Sequence, residues 1–149
     1  TAVLCDNDAP DQLSTEDVEH LRESGAYICQ WESGNSTEHQ LFADLPWDHI
    51  PLILKLISDN HDTLQHATII DSIRKDQRIA AQNLDPDPAV WPDSIVLRRV
   101  IGDLAHDHKW IKRIDYAETA FAFALPIMPD ASILKTRLNG LWQWIQQNE

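Results

Sequence analysis

Basic residues are nearly missing from the first 48 positions, where Arg22 stands alone against eleven acids: Asp6, Asp8, Asp11, Glu16, Asp17, Glu19, Glu23, Glu32, Glu38, Asp44 and Asp48. That stretch carries ten of the chain's twelve net negative charges, and the rest of the 149 residues net only two. A surface of one sign draws cationic partners and repels nucleic acid and anionic lipid. Glycine is scarce as well. The four glycines, at 25, 34, 102 and 140, cannot form a phosphate-cradling loop, and no G-x-S-x-G exists for a serine nucleophile. Cys5 and Cys29 are the only cysteines and have no CxxC spacing, so two thiols cannot complete a tetrahedral zinc site unaided. The longest clean apolar run, Ile50 to Leu54, falls far short of the roughly 18 residues of a membrane span. No basic segment followed by an apolar block opens the chain, so no signal peptide is expected. A reducing, cytoplasmic setting follows, with Cys29 buried and Cys5 loosely held; a disulfide pinning the N-terminal arm is the alternative.

What is present is ordinary globular composition, 43% hydrophobic and 24% charged. A chain of this length folds as one domain and buries roughly 68–70% of its unfolded surface. Aspartate outnumbers glutamate seventeen to seven. Because Asp prefers caps and turns, many of these acids are expected to punctuate helices. The reading is an all-α, single-domain helical bundle of about five to six helices, with residues 1–13 as an extended acidic arm and 14–149 as the helical domain.

Ser14 and Asp17 make a capping-box-like pair that opens a helix carrying Val18, Leu21, Ile28 and Trp31 on one face. Gly25 can end it early, leaving a minor strand pair near residues 26–36. Short helices follow over 37–45 and from Asp48, the second with Leu52, Ile53, Leu56 and Ile57 inward. Another is expected from Asp62 or Thr63 to about Asn83. Three prolines between Leu84 and Asp93 forbid helix, so that loop packs through Trp91. Asp93 or Ser94 caps a helix with Leu97, Val100, Ile101 and Leu104 inward. Trp110, Ile114, Ala117, Phe121 and Leu125 give the clearest helical period, closed by Pro126. Asp130 caps the last helix, which carries Leu134, Leu138, Leu141 and Ile145, with Trp142 beside them.

Candidate chemistry centres on histidine. His61, His66, His106 and His108 could hold a metal if two helix ends met, although five-residue spacing turns His61 and His66 away from one another. The His61-Asp62 dipeptide is similar to that of the metal-dependent HD phosphohydrolases. Their pattern also needs an earlier His, here His39 or His49, and a later Asp, here Asp103. Arg99, six further residues and His106 resemble the Arg-x(4–6)-His signature of the HEPN superfamily, all-helical domains many of which are metal-independent ribonucleases. That resemblance implies His106 as general acid or base and Arg99 on the phosphate. The chain departs from the pattern at Val100, where a polar residue is usual, and has no Tyr after the His.

Six tryptophans are many for this length. Trp47, beside a proline, and Trp144, off the apolar stripe, are candidate partner anchors. The leading expectation is a non-enzymatic interaction protein, of the inhibitor, immunity, antitoxin-like or adaptor kind. It would bind a basic protein surface through Asp11, Glu16, Asp17, Glu19 and Glu23 with Trp47 and Trp144, and involve no cofactor, nucleic acid or membrane. The alternative is a small helical hydrolase, through the four histidines or through Arg99 and His106.

Overall fold

The computed structural model describes residues 1–6, 14–32 and 34–148. The elements run β1 (Ala2–Cys5), α1 (Thr15–Glu23), β2 (Tyr27–Gln30), α2 (Thr37–Asp44), α3 (Ile50–Asn60), α4 (His66–Lys75), α5 (Ile95–Asp107), α6 (Ile114–Ile127) and α7 (Ile133–Gln147). Short 3-10 turns lie at Trp47–His49, Ala80–Gln82 and Pro88–Val90. Helices dominate as expected, one or two more than anticipated.

The N-terminal region departs from the expected long helix; of the expected extended arm, residues 7–13 lie outside the described residues. Ser14 does cap α1, in a full capping box with Asp17. Gly25, at φ 82°, then turns the chain out of the helix, a backbone state that glycine enters without a Cβ penalty. Tyr27–Gln30 consequently forms a strand, and Ile28 with Trp31 is buried from it. Its partner is the start of the expected arm: β1 pairs with β2 in parallel, Ala2 opposite Tyr27 and Cys5 opposite Gln30. Parallel strands need a crossover, and α1 supplies it. In this register Cys29 lies opposite Leu4, so strand alternation sends Cys5 and Cys29 to opposite faces, and both thiols are free.

One core links α2, α3, α4 and α5, with Phe42, Ile53, Leu54, Ile69, Ile73, Leu97 and Ile101 almost fully buried. The proline loop packs through Trp91, which is 4% exposed and donates from Nε1 to the Asp85 carbonyl at 2.6 Å. α4 is shorter than its apolar stripe implied. It begins at His66, because His61 caps the preceding turn, and stops at Lys75, where Asp76 and Arg78 form a turn that buries Ile79 outside any α-helix.

The phase of α6 also differs. Trp110 is buried in the turn before the helix, past Lys109 at φ 57°, so it shares no register with the residues after it. The buried line is Tyr116, Ala120 and Ala124; Phe121 and Leu125 are half-buried, and Ile114 is 86% exposed. Pro126 sits inside the last turn, one residue before the helix ends. On α7 Leu134 is buried while Leu138, Leu141 and Ile145 are half-buried. Its cap is Ser132, and Asp130 instead pairs with Lys135.

Candidate functional site

Apolar side chains fill nearly all of the interior, so its polar exceptions stand out: Ser36, Glu38, His39 and Gln40, all on the first turn of α2 and 0–7% exposed. Ser36 caps that turn, with His39 as the reciprocal capping partner. Facing them on α5 are Arg99, Asp103 and His106, whose spacing sets them on one helix face. Gly102 lets the two helices close: a Cβ there would lie 2.8 Å from His39 Cδ2 and 3.1 Å from His39 Cα.

His39 is the hub. The Ser36 backbone N–H donates to its Nδ1 at 3.2 Å, so Nδ1 carries the lone pair and Nε2–H donates to Asp103 Oδ1 at 2.7 Å. Asp103 also accepts from Arg78 and lies 3.1 Å from Arg99 Nε. Burial pushes the Asp103 carboxyl up, but hydrogen bonds from Arg78 and His39 and the nearby guanidinium charges outweigh it and hold the group below the usual carboxylate range. Glu38 Oε2 accepts from the Ser36 hydroxyl at 3.0 Å and lies 3.5 Å from His106 Nδ1. The His39 and His106 rings are 5.6 Å apart.

Arg99 and His106 therefore enter one network, as the ribonuclease-like alternative needs. Each is met there by a carboxylate of the chain; Ser36 is sealed from solvent, and His39, 7% exposed, borders an open pocket with Arg98 and Arg99. Sequence reasoning missed Glu38, Ser36 and Arg78, and met His39 and Asp103 only as nominees. The Ser36-x-x-His39 cap and the i, i+4, i+7 line of Arg99, Asp103 and His106 were the available signals.

The four candidate metal histidines are not gathered. His61 Nδ1 accepts from the backbone N–H groups of Thr63 and Leu64, at 3.2 and 3.1 Å, and its ring packs on Tyr116. His66 opens α4, and its Nδ1 is buried without a hydrogen-bond partner. His108 ends α5 and lines an open groove with His61, while His106 belongs to the α2–α5 network. Among the described residues no three His, Cys, Asp or Glu side chains converge as metal ligands. The His61-Asp62 pattern is divided too: Asp62 pairs with Arg113, whereas His39 and Asp103 pair with one another.

The acidic third splits into two sets. Asp17 is spent on the Ser14 cap, whose hydrogen bonds lower its pKa, and Asp44 accepts from the Leu134 N–H at 2.7 Å. Glu16, Glu19 and Glu23 are exposed on α1 and make no ion pair among the described residues. Asp11 lies outside the described residues.

The basic side chains of the rest are largely engaged at home. Arg98 grips Asp93 and the carbonyls of Phe42, Ala43 and Leu45; Arg113 holds Asp62 and Asp115; Arg78 holds Asp76 and Asp103. Neither candidate tryptophan projects alone. Trp47 donates to the Trp91 carbonyl at 2.8 Å beneath the Arg98 guanidinium, and Trp144 rests against Tyr27. Trp142, assigned inward by its periodicity, is 60% exposed.

No helix among the described residues is long and apolar enough to cross a membrane. No family model matches the chain, and neither a curated protein nor a solved structure is significantly similar to it.

Proposed function

We propose that this is a non-enzymatic interaction protein, of the inhibitor, immunity, antitoxin-like or adaptor kind, that binds a basic protein through its acidic N-terminal third in a cytoplasmic setting. One observation carries the reading. The arginines at 78, 98, 99 and 113 are met by the chain's own carboxylates and carbonyls, whereas Glu16, Glu19 and Glu23, exposed on α1, form no ion pair among the described residues. Such a face speeds encounter with a cation-rich surface, and its effect fades with salt. Trp142 is the exposed aromatic available as an anchor.

The test is capture of a partner from source lysate, followed by association kinetics over a salt series for the native protein and a Glu16→Lys, Glu19→Lys, Glu23→Lys variant. The variant should associate more slowly and with a flatter salt slope. Equal on-rates and slopes would end this reading.

A second reading, a small helical hydrolase using Arg99 and His106, rests on their meeting in the α2–α5 network. RNA cleavage by the native protein that disappears in His106→Ala would replace the first reading with this one.

A further inference from the structure

Two acids of the N-terminal third meet at a cavity of about 200 Å³ between the end of β1, the start of α2 and α6. Asp6 and Glu38 supply its carboxylates, Ile111, Ala117 and Phe121 its apolar wall, and Lys112 its one base. Each carboxylate is pinned through a single oxygen. Asp6 Oδ1 accepts from the Trp31 indole N–H at 3.2 Å and from the Thr37 N–H and hydroxyl at 2.8 and 2.7 Å. Glu38 Oε2 is held by Ser36 and lies beside His106.

The second oxygens, Asp6 Oδ2 and Glu38 Oε1, accept no hydrogen bond among the described residues, and neither is sealed from solvent. The Glu38 side chain is nonetheless only 6% exposed. No Lys or Arg of the described residues pairs with either acid, Lys112 included. A carboxylate taken this far out of water is costly unless a cation or full hydrogen bonding answers it, and His106, like Ser36, faces only Oε2 of Glu38, leaving Oε1 unanswered among the described residues.

We propose that this cavity seats an arginine side chain of the basic protein partner, an inference that rests on the binding reading above. The guanidinium meets the two open oxygens, and its planar face lies along Phe121. Arginine fits better than lysine because its fork of donors spans two acceptors while its weakly hydrated plane stacks on an aromatic ring. The methylene stem covers Ile111 and Ala117.

The experiment titrates the isotopically labelled protein with an acetylated, amidated peptide of alternating glycine and arginine, and with its citrulline analogue, followed by NMR. The arginine peptide should move the resonances of Asp6, Glu38, Phe121 and the Trp31 indole saturably, and the citrulline peptide should not. Asp6→Asn removes a charge, and Ala117→Leu fills the cavity without touching either acid. Each should weaken binding roughly tenfold or more. Native circular dichroism and unchanged methyl resonances of the fully buried Ile53 and Ile69 serve as the folding control. Lys112→Ala removes the competing cation and should tighten binding. Equal affinity for both peptides, undiminished binding by Ala117→Leu, or weaker binding by Lys112→Ala overturns the proposal.

The α1 lysine variant separates the two claims. Shifts at the cavity that survive it, with unaltered association kinetics, end the binding reading through α1 and leave only an arginine-binding cavity without that partner. Salt-dependent shifts confined to Glu16, Glu19 and Glu23 remove the cavity and leave the binding reading intact.

Discussion

His39 Nε2 lies 2.7 Å from Asp103 Oδ1, joining residues 64 positions apart across the α2–α5 contact. Asp103 is the point where the first half of the chain, through His39, and the Asp76–Arg78 turn are tied to α5. Its carboxyl is held below the usual carboxylate range in the folded state, so the unfolded chain binds its proton first on acidification. The stabilisation is fully present above about pH 4, near the unfolded value, and is lost as pH falls through the lower folded value. Urea midpoints measured from pH 7 to pH 2.5 should decline below about pH 4. In Asp103→Asn that acid-side decline should be shallower and the neutral-pH midpoint lower. Parallel curves for the two proteins would contradict the assignment.

Gly102 marks the closest approach of the same two helices. Alanine normally gains about 1 kcal/mol over glycine inside a helix. Here the added methyl would press within 3.1 Å of the His39 backbone and 2.8 Å of its ring, and overpacking of this kind costs about 1–3 kcal/mol. The backbone contact cannot swing aside, so Gly102→Ala should be destabilising. Denaturant unfolding of the two proteins measures the sign directly, and a stabilised variant would show that the helices stand further apart.

The phase of α6 is open to a paired substitution. Ile114 is 86% exposed, so Ile114→Ser should change stability by no more than about 0.5 kcal/mol. Ile101, fully buried on α5, should cost about 2–5 kcal/mol as Ile101→Ala. Phe121, half-buried beside the pocket between β1, α2 and α6, should fall between them when truncated. A large loss at Ile114 would restore the Trp110–Ile114–Phe121 face read from periodicity.

Local signals were legible without the fold. Ser14 caps α1 as expected, and of the two candidates Asp93 and Ser94 the serine caps α5, because capping is a matter of a few neighbouring residues. The prolines between Leu84 and Asp93 excluded α-helix, leaving a single 3-10 turn, and Trp91 is buried where it packs that loop. The charge asymmetry needed only counting.

By itself, then, the sequence determined the helical class, the caps at the starts of α1 and α5, the stiff loop and the excess of acid in the first third, since each follows from composition or from residues a few positions apart. Only the tertiary structure decided the rest. Ala2–Cys5 became a strand because a parallel partner 25 positions on accepts it, which four residues cannot announce. The phase of α6 depended on which side met α3, since Ala117–Leu125 is apolar nearly all round. The roles of His39, Glu38 and Asp103 arose from the close approach of α2 and α5 at Gly102, a distance no local pattern encodes.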